Sequence, residues 1–272
     1  MADTAAATLY VKSLVGPVVV SLVLSGILYG CALVQTHVYY KLFPKDDWRL
    51  RALVAFEMVF QTVQLILLFL GVWETVMALY SGGQMTSALV NTAIVGMLFG
   101  GPSAFCVQAF FIFRLHSFSQ RKPLPIFCSI LITVQLAFTL TIGASSSEVI
   151  ALQKWQGFIV STLFMAICAD TTIAASMSYY LKGSRTGFRQ TSRLIDRTIL
   201  YIIATGTVTS ITALSAGITF YAIPNTYIWL VLCILEAGLY ANSFLAALNA
   251  RVWLSRISCD PESVNDTMIS IT

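Results

Sequence analysis

Three acidic side chains lie inside long apolar stretches of the sequence, and their type and position suit them for chemistry. Glu57 lies about two turns into the second apolar stretch, and Asp170 and Glu236 lie near the middle of the fifth and the seventh. An ionisable side chain at membrane depth is costly, so each is a candidate functional residue. A carboxyl group kept from water favours its neutral form, which can act as a general acid or as a hydrogen-bonding group between helices. The sequence leaves both roles open.

Other polar side chains in the apolar stretches could complete a binding site around these carboxyl groups. Glu236, Tyr240 and Ser243 have the i, i+4, i+7 spacing that places side chains on one face of a helix. A run of Thr and Ser in the sixth stretch is interpreted as packing, because such hydroxyls readily bond to carbonyls of their own helix. The candidate ligand-binding residues are Gln61, Gln108, Asp170, Glu236, Tyr240 and Asn242.

The composition indicates the elements that must position these residues. Apolar residues make up 57% of the 272 residues and charged residues only 10%, whereas a typical globular domain has roughly 25% charged residues. So few charges cannot cover a soluble surface, which excludes soluble enzymes and nucleic-acid-binding proteins. Crossing a bilayer takes roughly 20 apolar residues in a helix. Seven such stretches are present, at 14–37, 51–73, 88–113, 124–144, 157–181, 198–221 and 226–249.

The positions of the basic residues predict the orientation of these helices. Fourteen of the sixteen Lys and Arg residues fall in the first, third and fifth connections or after the seventh stretch, and only Lys12 and Lys154 fall on the other side. Basic loops face the cytosol. The sequence therefore predicts an all-α, single-domain bundle of seven transmembrane helices over residues 1–272. The short N-terminal segment 1–13 would lie outside and the tail 250–272 in the cytosol, in the plasma membrane or the endoplasmic reticulum.

Two small-residue pairs and one proline bear on helix packing. Gly26 with Gly30, and Gly96 with Gly100, have the GxxxG spacing that allows helix backbones to approach closely in lipid. Packing within the bundle is the expected role of both pairs, with dimerisation as the alternative. Pro102 follows two glycines near the middle of the third helix, where a kink could open space for a ligand.

Several specific chemistries lack their sequence signatures. His37 and His116 lie near helix ends without partners at metal-ligand spacing, and no nucleotide or dinucleotide motif is present. The seventh stretch has no Lys for a retinal Schiff base. We therefore expect no cofactor and no metal. The expected partners are the lipid bilayer, a lipophilic small molecule and a cytosolic protein at loops 114–122 and 182–197.

Three stretches of the sequence also resemble a known family. They read Leu28-Tyr29-Gly30-Cys31-Ala32-Leu33-Val34-Gln35, Ser184-Arg185-Thr186-Gly187-Phe188 and Tyr240-Ala241-Asn242-Ser243-Phe244-Leu245-Ala246-Ala247-Leu248-Asn249-Ala250-Arg251. With them the chain resembles the basidiomycete fungal seven-helix membrane proteins that carry a domain of unknown function in their C-terminal half. The resemblance covers nearly the whole chain. It implies the same topology and orientation, and no particular activity.

The chain departs from that family in two stretches, one in helix two and one in helix seven. The family often has an Asp-Thr pair followed by His in helix two, where this chain has Gln61-Thr62-Val63-Gln64. It often has a Lys shortly before the Tyr-x-Asn-Ser of helix seven, where this chain has Glu236-Ala237-Gly238-Leu239. Glu57 and Glu236 are therefore not features that the resemblance explains.

Two functions are the main alternatives on these grounds, and a scaffold within a larger membrane assembly is a third. The first is a receptor-like or ligand-binding membrane protein without catalysis, with a cavity between helices two, three, five, six and seven. The alternative is an enzyme similar in architecture to fungal membrane-bound terpene cyclases, with Glu57, Asp170 or Glu236 as the proton donor. Aromatic side chains could then stabilise a carbocation, and the candidates are Trp73, Trp155, Tyr221, Trp229 and Tyr240. Convergence of the carboxyl groups on one aromatic-lined pocket would favour the enzyme.

Overall fold

The computed structural model describes residues 15–81, 88–118, 123–145, 156–183, 189–223, 226 and 228–259. These ranges form seven helices and no strand. The helices are α1 (Gly16–Leu42), α2 (Trp48–Tyr80), α3 (Ala88–Phe118), α4 (Pro123–Ser145), α5 (Gln156–Gly183), α6 (Arg189–Ala222) and α7 (Ile228–Cys259). Each contains a segment long and apolar enough to cross a membrane. The prediction of an all-α fold with seven membrane-spanning helices is confirmed.

The helices extend beyond the apolar stretches that predicted them. The third helix continues to Phe118, the sixth begins at Arg189, and the seventh continues to Cys259. Apolar residues mark only the part of a helix suited to lipid, whereas a polar segment can continue the same backbone hydrogen bonding into water. Parts of loops 114–122 and 182–197, and of the tail 250–272, are therefore helical.

The helices form a closed ring in chain order. Each helix packs against the next, and α1 packs against α7. The third helix also packs against α5 and α7, and α7 packs against α2. Within its apolar segment, 61% of the residues of α7 are buried, against 17% for α1. The seventh helix therefore lies largely inside the bundle, and the interior sites of the molecule form around α3 and α7.

The two GxxxG pairs differ in their surroundings. A Cβ added to Gly100 would lie 3.4 Å from the Cβ of Ala237, and one added to Gly96 would lie 3.8 Å from Gln64 Cγ. The pair on α3 therefore packs within the bundle, as predicted. A Cβ on Gly26 or Gly30 would meet no atom of the described chain within 4 Å. The prediction of close packing within the bundle is wrong for the pair on α1.

Adding one methyl group should distinguish a packed glycine from an open one. A Cβ at Gly143 would collide with the Leu98 side chain, and overpacking of this kind costs about 1–3 kcal/mol. Gly143→Ala should therefore lower the melting temperature of the purified protein by several degrees. Gly26→Ala is the matched control and should leave it unchanged or raise it, because Ala favours helix more than Gly does. Equal melting temperatures for the two variants would contradict this packing.

Candidate functional site

Asp170 is the centre of a hydrogen-bond network that joins four helices. This residue of α5 is 7% exposed. Its Oδ2 accepts hydrogen bonds from Thr209 Oγ1 on α6 at 2.5 Å and from Tyr240 Oη on α7 at 2.7 Å. Its Oδ1 accepts one from Gln108 Nε2 on α3 at 3.1 Å. All three donors are neutral side chains, so none of them would balance a negative charge on this carboxyl group.

Small residues bring α6 close enough to α5 for this network. A Cβ added to Gly206 would lie 3.0 Å from the Cβ of Ala174 and 3.7 Å from the main-chain oxygen of Asp170. The two backbones are therefore nearly in contact one helical turn before Thr209. At that separation the short threonine side chain reaches the Asp170 carboxyl group directly.

Glu57 is the centre of a second network, between α2, α3 and α7. Its side chain is fully buried. Its Oε1 accepts hydrogen bonds from Ser103 Oγ at 2.5 Å and from Gln61 Nε2 at 3.4 Å. Gln61 Nε2 also donates to the main-chain oxygen of Ala237 at 2.9 Å. The Oε2 atom of Glu57 is buried and has no hydrogen-bond partner in the described part of the chain.

Glu236 differs from the other two carboxyl groups because it lines a cavity. The cavity has a volume of about 110 Å³ and lies between α2, α3, α4, α5 and α7. Its wall is mostly apolar and includes the rings of Trp229 and Tyr240. The Oε1 atom of Glu236 is buried without a hydrogen-bond partner among the described residues. A bound group could therefore interact with this carboxyl group without breaking an existing hydrogen bond.

A smaller cavity lies on the other side of Tyr240. It has a volume of about 40 Å³ and is lined by Asp170, Thr209 and Ser243 among others. Tyr240 lines both cavities. The predicted face of α7 is therefore present, because Glu236 lines the larger cavity, Ser243 the smaller one, and Tyr240 stands between them.

The C-terminal half of the chain matches a family model. Residues 166–253 match the Family of unknown function (DUF6534). The match covers about a third of the chain and includes Asp170, Thr209, Glu236 and Tyr240. It agrees with the domain of unknown function that the resemblance placed in this half. Comparison with curated proteins and with solved structures gives no match.

The three candidate carboxyl groups do not converge on one pocket. Glu57 and Asp170 are each bonded to neighbouring helices, and only Glu236 lines the larger cavity. This cavity is lined by α4 rather than by α6, which differs from the set of helices expected from the sequence. The fourth helix contributes the polar residues Gln135 and Thr139 to the wall, and no described residue of α6 lines it.

The candidate ligand-binding residues lie in four different surroundings. Tyr240 and Glu236 line the larger cavity, and Gln108, Asp170 and Tyr240 line the smaller one. Gln61 belongs to the Glu57 network. Asn242 lies between α7 and α1, where its Nδ2 donates to the Leu28 main-chain oxygen at 2.9 Å and its Oδ1 accepts from Gln35 Nε2 at 3.0 Å.

Some of the candidate aromatic residues line the larger cavity, and others are exposed on the outside of the bundle. Trp229 and Tyr240 line the larger cavity, whereas Trp73 is 56% exposed and Tyr221 is 77% exposed. Trp155 lies outside the described residues, as do 119–122 and 184–188 of the basic loops.

Within the described ranges, no three His, Cys, Asp or Glu side chains lie close enough together to hold a metal ion.

Sequence reasoning missed two residues that complete the networks. Thr209 is one of eight Ser and Thr residues in the stretch 198–221, and Ser103 is a lone serine after Pro102. Thr209 was covered by the general rule that hydroxyls in helices bond to their own backbone, and Ser103 was not singled out. Thr209 does bond to the carbonyl of Gly206 at 3.1 Å while it also donates to Asp170. No sequence signal separates it from its neighbours, because only the packing of α6 on α5 selects it.

Proposed function

We propose that this chain is a multi-pass membrane protein that binds a small lipophilic molecule in the cavity lined by Glu236, without catalysis. The observation that carries this proposal is the buried Glu236 Oε1 without a partner at the wall of an apolar cavity. Buried polar atoms in proteins are nearly always hydrogen-bonded. An apolar enclosure with a few unpaired polar groups is the usual form of a ligand site.

The size of the cavity limits the ligand. Drug-sized ligands occupy pockets of roughly 300–1,000 Å³, and an apolar cavity of about 150 Å³ holds a single benzene ring. The cavity here has a volume of about 110 Å³ and is not fully enclosed, so it suits a molecule with one small ring or a short chain, part of which extends through the opening.

A receptor-like role would place this site between the outside and a cytosolic partner. The alternating basic loops support an orientation with the N-terminus outside and loops 114–122 and 182–197 in the cytosol. A ligand between α3, α5 and α7 would contact α3 and α7, which each pack against four other helices. Such a protein would reside in the plasma membrane or the endoplasmic reticulum.

Filling the cavity should abolish binding. Ala166 on α5 is 2% exposed and lines the cavity, so Ala166→Phe would occupy the space of the ligand. Benzylamine, benzyl alcohol and ethylbenzene serve as probes, and bound molecules are counted by native mass spectrometry of the protein in nanodiscs. We expect a saturable one-to-one complex with at least one probe, lost in Ala166→Phe.

The matched control carries the same substitution on the outer face of the same helix. Ala175 is exposed, so Ala175→Phe should retain the complex. Binding that survives Ala166→Phe, or no saturable binding of any probe, would show the proposed function to be wrong.

A second candidate is an enzyme that protonates a lipophilic substrate with Glu236. It is favoured by the position of this carboxyl group beside Trp229 and Tyr240, whose ring faces could stabilise a cation. A prenylated substrate is larger than the cavity, so this function also requires the cavity to widen. Microsomes containing the protein would be incubated with prenylated and epoxidised substrates and searched for cyclised isomers by mass spectrometry. A product lost in Glu236→Gln would support the enzyme, and no product would count against it.

A further inference from the structure

Among the residues that line the larger cavity, the fully buried polar atoms without a partner are all acceptor oxygens. Glu236 Oε1, Gln64 Oε1 and Gln135 Oε1 come from α7, α2 and α4, and each is buried without a hydrogen-bond partner among the described residues. All three residues line this cavity. Carbonyl and carboxylate oxygens are acceptors. The cavity therefore has unused capacity to accept hydrogen bonds from a ligand.

The hydroxyl groups in the same wall already donate hydrogen bonds to other acceptors. Thr139 Oγ1 donates to the Gln135 main-chain oxygen at 3.0 Å, and Thr162 Oγ1 donates to the Phe158 main-chain oxygen at 2.8 Å. Tyr240 Oη donates to Asp170. These hydroxyl groups would have to break existing bonds before they could satisfy the free oxygens.

The orientation of the Gln64 amide is set by its own hydrogen bond. Its Nε2 donates to the Ile234 main-chain oxygen at 3.4 Å, which leaves Oε1 as the unpaired atom. A Cβ added to the neighbouring Gly100 would lie 3.7 Å from this oxygen. Gly100 therefore lies next to this amide in the cavity wall.

The charge of the wall has one sign. Among the described residues that line the cavity, Glu236 is the acidic one and none is Lys, Arg or His. The rest of the wall is apolar, with Ile142, Ile159 and Leu163 on one side and the Trp229 ring on another. Such a wall accepts an apolar body and offers no cation to bind an anion.

We propose that the ligand of this cavity is a small lipophilic primary amine, bound as its ammonium ion. This inference rests on the proposed binding function and names the chemistry of its ligand. An ammonium group offers three N–H donors and no acceptor, which complements a carboxylate and two amide oxygens. Its bond to the Glu236 carboxylate is charge-assisted, and its apolar part packs against the aliphatic side chains and Trp229.

The test compares probes of similar size that differ in their polar group. Benzylamine, benzyl alcohol, ethylbenzene and benzoate are titrated against the protein in nanodiscs, and dissociation constants are measured by native mass spectrometry. Benzylamine should bind at least about tenfold more tightly than ethylbenzene or benzyl alcohol, because a hydrogen bond to a charged group contributes that much to affinity. Benzoate should not bind.

Two variants test whether the preference for benzylamine depends on the polar residues of this wall. Glu236→Gln should reduce the preference for benzylamine over ethylbenzene to within about twofold, with ethylbenzene binding retained. Gln64→Met should reduce the preference for benzylamine severalfold. It replaces Glu236→Gln as the test variant if that protein does not fold. Glu74→Gln, an exposed carboxyl group elsewhere on α2, should leave the preference unchanged.

The outcomes separate the ligand class from the binding function. Equal affinities for benzylamine and ethylbenzene, both lost in Ala166→Phe, would overturn the amine and leave the binding function standing. A preference for benzylamine that survives both Glu236→Gln and Gln64→Met would also overturn it. Absence of binding by every probe would overturn both proposals together.

Discussion

Replacing Asp170 with leucine should lower the free energy of unfolding by about 3 kcal/mol, because buried donors left unpaired cost about 1–3 kcal/mol each. The substitution removes the shared acceptor of Gln108, Thr209 and Tyr240. Single hydrogen bonds between membrane helices are weaker, at about 0.6 kcal/mol on average. The larger effect is expected here because donors from three different helices lose their acceptor at once. Unfolding in mixed micelles titrated with denaturing detergent measures the difference.

The controls for this prediction lie next to Asp170 and at the residue itself. Thr171 is exposed and bonds to the Ile167 carbonyl of its own helix at 2.6 Å, so Thr171→Val should change the free energy of unfolding little. Asp170→Asn keeps an acceptor oxygen and should be milder than Asp170→Leu. A stability of Asp170→Leu equal to that of the unchanged protein would show that Asp170 does not hold the four helices together.

Replacing Gln61 with methionine should lower the free energy of unfolding by about 2 kcal/mol, since the amide serves several buried acceptors. Its Nε2 donates to the Ala237 main-chain oxygen at 2.9 Å and lies 3.3 Å from Ser103 Oγ. Methionine has nearly the same length and shape, so the change removes the amide with little loss of packing. The Glu57 carboxyl group would keep Ser103 as its donor.

A double-mutant cycle tests whether Gln61 acts through Glu57. Residues in one hydrogen-bond network show coupling energies of about 0.5–3 kcal/mol. Gln61→Met should therefore cost less when Glu57→Leu is already present than it does alone. Thr133 is exposed and bonds to its own helix, and Thr133→Val should show no coupling to Glu57. Additive effects of the Gln61 and Glu57 changes would contradict the network.

The number and position of the helices were predictable from the sequence, for a physical reason. A helix that crosses lipid requires a minimum apolar length, and each of the seven stretches reaches that length. The buried positions of Glu57 and Asp170 were predictable for a related reason, because a carboxyl group in such a stretch has to avoid lipid. The shared face of Glu236, Tyr240 and Ser243 followed from helix geometry alone.

The partners of these residues were not predictable. They depend on how each helix is rotated about its axis, and helices that are apolar all round carry little pattern that reveals rotation. The acceptor of Gln61 on α7 is a main-chain carbonyl, which every residue has. Gln64 and Gln135 were visible as polar residues in apolar stretches, but their common cavity depends on the packing of α2, α4 and α7 together.

The contacts between α7 and α1 imply an unequal tolerance of mutation. Asn242 and Asn249 donate to the main-chain oxygens of Leu28 and Gln35 on α1. Main-chain oxygens survive any substitution, so the side chains of α1 can drift in evolution while these bonds persist. The asparagines of α7 have no such freedom. Among descendants of one ancestor, sequence change should therefore accumulate in the first helix, and the seventh should remain recognisable for longer.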